Sequence, residues 1–191
     1  MDSERITLGS GKLYCVKFTG TIPEDAAIET EDNQLAHIKG GASLEYTAES
    51  YTAKDDLGVV QKTKVTKEEA TLKAGLLTWC GATLDKLCAT ARVTTSGKKR
   101  TVKIGGLKNQ KNDKYLIRFL HEDDEDGDIR VTIVGKNEAG FSFTFATDAE
   151  TTLEPTFTAY PMDKEGTLII FDEEIVQNVQ EIKAAAQKQP Q

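Results

Sequence analysis

Apolar and polar residues alternate at every second position through most of this chain, a period that only strands can bury on one face. Phe141, Phe143 and Phe145 alternate with Ser142, Thr144 and Ala146. Tyr115, Ile117 and Phe119 alternate with Leu116, Arg118 and Leu120, and Ile129, Val131 and Ile133 with Arg130, Thr132 and Val134. Between these last two runs lies Asp126-Gly127, a pair suited to a tight hairpin turn because both residues tolerate positive φ. Further strands are expected over residues 12–19, 42–52, 59–68, 101–104, 156–161 and 167–171, with turn chemistry in Asp163-Lys164-Glu165-Gly166 between the last two. So many short strands imply a mainly β fold, a sandwich or barrel.

Two segments break the alternation. Residues 78–89 carry Trp79, Ala82, Leu84 and Leu87 at helical spacing, and a single helix in such a chain flanks the sheets. Residues 173–188 begin acidic and end basic, which matches a helix dipole, with Ile175, Val176, Val179 and Ile182 as a narrow stripe. The chain of 191 residues shows no repeat and no compositional break. One β domain over residues 1–172 with a C-terminal helical extension over residues 173–191 is the expected organisation.

Motifs for catalysis are sparse. Gly9-Ser10-Gly11-Lys12 lacks the spacing of a phosphate-binding loop, and Leu13 follows the lysine. The two histidines, His37 and His121, stand alone, and the three cysteines, Cys15, Cys80 and Cys88, lack metal or disulfide spacing. Glu122, Asp123, Asp124, Glu125, Asp126 and Asp128 form an acidic hairpin tip. An EF-hand loop starting there would need glutamate where Ile133 stands, so a solvated tip is expected, with weak divalent-ion binding as the alternative. No cofactor, no metal and no enzymatic activity are expected. Neither a secretory leader nor a membrane span is visible, so synthesis in the cytoplasm is expected.

Charge is unevenly placed. The net charge of −7 argues against a protein that neutralises phosphates. Yet residues 98–114 carry seven basic residues and one acid, immediately before the acidic tip. Opposite patches of this kind can fix register between neighbouring subunits.

The stretch from residue 39 to residue 73 holds two extended runs joined by Ala53-Lys54-Asp55-Asp56-Leu57-Gly58. Leu44, Tyr46 and Ala48 share one face of the first run and Glu45, Thr47 and Glu49 the other; on the second, Lys62 and Lys64 share a face with Val60 and Thr66. Such a ribbon is longer than a monomer core needs and exposes strand edges that call for a partner.

Three blocks in this order resemble the tail tube (major tail) proteins of bacteriophages with long non-contractile tails. They are Gly40-Gly41-Ala42-Ser43-Leu44-Glu45-Tyr46 with its hairpin, Ala70-Thr71-Leu72-Lys73-Ala74-Gly75-Leu76-Leu77, and the closing pair Pro155-Thr156-Phe157-Thr158-Ala159-Tyr160-Pro161-Met162-Asp163 and Gly166-Thr167-Leu168. The resemblance covers roughly residues 38–172 and implies a virion structural protein, not an enzyme. It implies a β-sandwich with a flanking helix, six copies closing into a ring, and rings stacking into a tube that conducts DNA without binding it. Tape-measure, tail-tip initiator and terminator proteins would be the partners. The loop with Lys54, Asp55 and Asp56 would reach the neighbouring ring, and Glu45, Glu49, Lys62 and Lys64 are candidates for the lumen face, the lysines pairing with the glutamates. A six-fold ring would carry roughly −42, which repels a DNA duplex over about 8 Å. Two alternatives stand beside this: the tube of a contractile phage-like or type VI injection machine, and, from a different class, a β-sandwich ligand-binding module.

Overall fold

The computed structural model describes Thr7 and residues 9–175. They form ten strands and two short α-helices: β1 (Lys12–Lys17), α1 (Asp25–Ile28), β2 (Gln34–Ala36), β3 (Ile38–Lys54), β4 (Gln61–Leu76), α2 (Gly81–Leu87), β5 (Arg92–Ser96), β6 (Lys99–Lys103), β7 (Tyr115–His121), β8 (Ile129–Asn137), β9 (Thr156–Ala159) and β10 (Ile169–Glu173). The main sheet is antiparallel in the order β2-β1-β7-β8-β9-β4-β3. The side of β8 away from β7 is shared, with β10 along Ile129–Ile133 and β9 along Gly135–Asn137. A separate two-stranded sheet joins β5 to β6.

The sheet cannot be flat. Its end strands β2 and β3 are separated in the chain by His37 alone. Laid flat, seven strands would set those edges about 29 Å apart, whereas one intervening residue spans about 7 Å. The sheet therefore curls, as in a sandwich or barrel, around a core that draws Leu13, Ile117, Ile133, Phe157, Leu72 and Leu76 from five strands, all 2% exposed or less. Leu87 of α2 closes it. The flanking helix sits at this core as the sequence implies, although it starts at Gly81, with the Cys80 amide donating to Thr83 Oγ1 at 3.2 Å.

The opposite face of β1, β7 and β8 carries a second apolar group, including Tyr14, Leu116, Leu120 and Val134, covered by Ile28 and Met162. Within it Arg118, 3% exposed, donates to Thr132 Oγ1 at 2.9 Å and pairs with Asp25 and Glu29. Arg130 bonds Glu29, Asp128 and Glu174 at 2.8–3.1 Å. Carboxylates on three separate segments thus satisfy two arginines that burial would otherwise make costly.

Several expectations change. Phe141, Phe143 and Phe145 lie between β8 and β9 without strand pairing. Their rings do share one side, at centroid distances of 5.0 and 5.8 Å, and Phe143 meets Trp79 at 4.5 Å. Ring packing, and not a backbone ladder, holds them. The turn after β7 is a loop over residues 122–128; only Gly127 is left-handed (φ 86°), and Asp126 is not. Asp123 Oδ1 accepts the amides of Glu125 and Asp126 at 2.9 and 3.0 Å, which builds the wider loop instead. At the C-terminus Glu173 ends β10 and Glu174 donates its amide to the Asp128 carbonyl at 2.9 Å. A helix therefore does not begin at Glu173, and the rest of the expected helix lies outside the described residues.

Because Phe157 fills the centre of the core at 2% exposure, Phe157→Ala is expected to destabilise the fold by about 3–5 kcal/mol, read as a lower urea midpoint at unchanged slope.

Candidate functional site

The β3–β4 ribbon is anchored at one end only. Ala70, Leu72, Ala74 and Leu76 of β4 are buried, whereas every residue of β4 before Ala70 is exposed. Ala70 lies opposite Tyr46, so the eight further residues to Lys54 carry the ribbon about 27 Å beyond the core. Gly40 and Gly41 start it: Lys39, Gly40 and Gly41 stand against Gly75 alone, and both glycines take positive φ (80° and 77°) that a side chain would resist.

Glu45 and Glu49 share one face with Lys67, Glu69 and Lys73. Lys67 Nζ lies 2.7 Å from Glu69 and 3.8 Å from Glu49, and Lys73 Nζ 3.7 Å from Glu45. These pairs are more than half exposed and contribute little to stability. Lys62 and Lys64 do not pair with the glutamates as expected; they stand opposite Ala53 and Tyr51. They lie beyond Glu49 along the ribbon, past a bulge: Glu49 faces Lys67 and Ser50 faces Val65, so Thr66 is an extra residue and its hydroxyl donates to the Glu49 carbonyl at 3.2 Å. The bulge shifts the alternation of β4 and brings Lys62 and Lys64 onto the glutamate face, displaced along the ribbon. It also ends the face that Thr66 was expected to share with them, and Val60 lies beyond the strand. The glutamate face is accordingly mixed in sign. The reverse face carries Leu44 and Tyr46, the tyrosine hydroxyl bonded to Glu68, which raises the phenol's pKa.

At the tip, Asp55 builds the turn. Its amide donates to the Val60 carbonyl at 3.0 Å, its Oδ1 accepts the Val60 amide at 2.8 Å, and its carbonyl accepts from Gly58 at 3.0 Å. Lys54 and Asp56 are exposed beside it. The sequence reading missed the apolar crown: Leu57, Val59 and Val60 are 85%, 80% and 68% exposed. Three branched apolar residues around a turn glycine were the available signal. Nothing among the described residues covers them, and the outer edge of β3 has no ladder partner there.

The acidic loop is internally ordered. Besides the Asp123 bonds, Asp128 Oδ1 accepts the Asp123 amide at 3.1 Å, and Glu122 pairs with Lys12 at 2.7 Å. No group of three or more His, Cys, Asp or Glu side chains among the described residues is arranged to hold a metal ion. None of their helices is long and apolar enough to cross a membrane. Burial pushes the Cys15 thiol up to about 12, while hydrogen bonding from the Thr83 amide holds exposed Cys80 below the ordinary thiol value. Thiolate is the reactive form, so at pH 8 Cys80 is expected to be alkylated first and Cys15 only after denaturation, as peptide mass mapping would show.

Excising residues 50–66 and joining Glu49 to its ladder partner Lys67 through Asn-Gly is expected to change unfolding free energy by less than about 1 kcal/mol, because that segment buries no core. A collapse of the thermal midpoint would show that the ribbon belongs to the fold.

No protein-family model matches this chain, and no curated protein sequence matches it significantly.

Proposed function

We propose that this chain is the structural subunit of a phage tail tube, with six copies closing into a ring and rings stacking into a conduit for DNA. The observation that carries this reading is the ribbon: beyond the Tyr46–Ala70 pair both of its faces are exposed and neither edge has a ladder partner among the described residues, and its far end presents Leu57, Val59 and Val60 to solvent. A monomer gains nothing from such an arm. Strand edges left open in this way are removed when copies pair, and pairing round a ring leaves none.

In the assembled tube the tip reaches the next ring, where the apolar crown is buried and Lys54 and Asp56 flank the contact. The face with Glu45, Glu49, Lys62 and Lys64 lines the lumen. Its lysines offset its glutamates, so repulsion of DNA comes from the acidic balance of −7 per chain and not from a row of carboxylates. Tape-measure, initiator and terminator proteins complete the tail, and the protein resides in the virion.

Sedimentation of concentrated protein tests the tip. The wild type is expected to form particles far heavier than 20.9 kDa, while Leu57→Ser/Val59→Ser/Val60→Ser stays folded and light. Equal assembly by this variant would remove the tip from the interface.

A further inference from the structure

The β5–β6 hairpin has two unlike faces. Val93, Thr95, Arg100 and Val102 share one by register, and it packs on α2: a β-carbon added to Gly81 would fall 2.7 Å from Arg100 Cδ and 2.9 Å from Val102 Cγ2. The other face, formed by Arg92, Thr94, Ser96, Lys99, Thr101 and Lys103, looks away from the body. It holds three cations among hydroxyls and no acid. Arg92 Nη2 donates to the Gly105 carbonyl at 3.1 Å. The ammonium groups of Lys99 and Lys103 are exposed and meet no hydrogen-bond or ion-pair partner among the described residues.

This face belongs to one end of the sheet. The hairpin's continuation is tied down where the Lys111 amide donates to Ala89 at 2.8 Å and Lys111 Nζ pairs with Asp85 at 2.6 Å. Asn137 Nδ2 holds the Leu87 carbonyl at 3.2 Å, next to the pair Tyr115–Gly135 where β7 begins. β7 ends six residues later at His121, about 20 Å away, and runs into the acidic loop. There Asp124 and Glu125 are exposed, and their carboxylates have no partner among the described residues. Positive charge thus sits at the start of β7 and negative charge at its end, on a rigid sheet.

We propose that the outer face of the β5–β6 hairpin is a second assembly surface, which receives the 122–128 loop of a second copy of this chain, head to tail. The proposal rests on the self-assembly reading above and adds a contact outside the ribbon. One copy's Lys99 and Lys103 meet the other's Asp124 and Glu125. Such a contact is heterologous, so it propagates and does not close on a pair. A second copy fits better than nucleic acid because the chain as a whole carries a net −7, which repels phosphates, whereas the matching carboxylates are built into every copy.

Charge reversal tests this with the full chain. Lys99→Glu/Lys103→Glu and Asp124→Lys/Glu125→Lys are each expected to raise the concentration needed for assembly by about tenfold or more at about 150 mM salt. Circular dichroism identifies any variant that fails to fold. An equimolar mixture of the two variants, in which every contact is again complementary, is expected to recover assembly. If the wild type stays monomeric at all concentrations, the assembly reading fails and this contact with it. If the wild type assembles but the hairpin variant does so equally well, or the mixture shows no recovery, the contact alone is wrong. Binding of a fluorescent DNA duplex that Lys99→Glu/Lys103→Glu abolishes, with assembly unchanged, would give the face to nucleic acid instead.

Discussion

The chain leaves one edge of the main sheet at Ala36 and enters the other at Ile38, so His37 must turn a corner that a flat sheet would stretch over several strand widths. Its amide donates to Thr78 Oγ1 at 2.8 Å and its carbonyl accepts the Leu77 amide at 2.8 Å, which holds the corner against the segment following β4. Curling follows, and with it the enclosed core, the seat of α2, and the direction in which β3 departs. The ribbon is what remains of β3 and β4 after the core has been lined.

Stability and assembly are thereby separated. The residues that form the core lie chiefly in β1, β2, β7, β8, β9, α2 and the proximal part of β4, while the distal ribbon contributes cross-strand hydrogen bonds and exposed ion pairs. Holding a residue in strand geometry costs about 1–2 kcal/mol of backbone entropy, and a two-stranded ribbon without a buried face offsets that poorly. In the proposed assembly, burial of the ribbon between copies would supply the missing term. The proposed tube would then start slowly and extend readily, because the first partner must order the arm and later ones find it ordered.

Much of this was legible in the sequence. Alternation located β1, β7, β8, β9 and β10 to within a few residues, and the length of the polar runs around Glu45 and Lys64 marked the ribbon. What alternation cannot carry is pairing. It read Phe141 to Phe145 as a strand because one-sided rings look the same whether a ladder or Trp79 holds them. It missed β5 because Val93-Thr94-Thr95 is too short and too polar to show a face. It misplaced the partners of Lys62 and Lys64 because alternation gives a face and not a register: they stand opposite Ala53 and Tyr51, beyond Glu49 along the ribbon. Long-range ion pairs such as Arg118 with Glu29 have no local signal at all.

Electron microscopy of the concentrated wild-type protein tests the central claim most directly, because it reads symmetry as well as mass. Tubes with six-fold end views and a regular ring repeat are the result this account requires. A field of single particles the size of one 20.9 kDa chain, unchanged when tail initiator proteins are added, would contradict it.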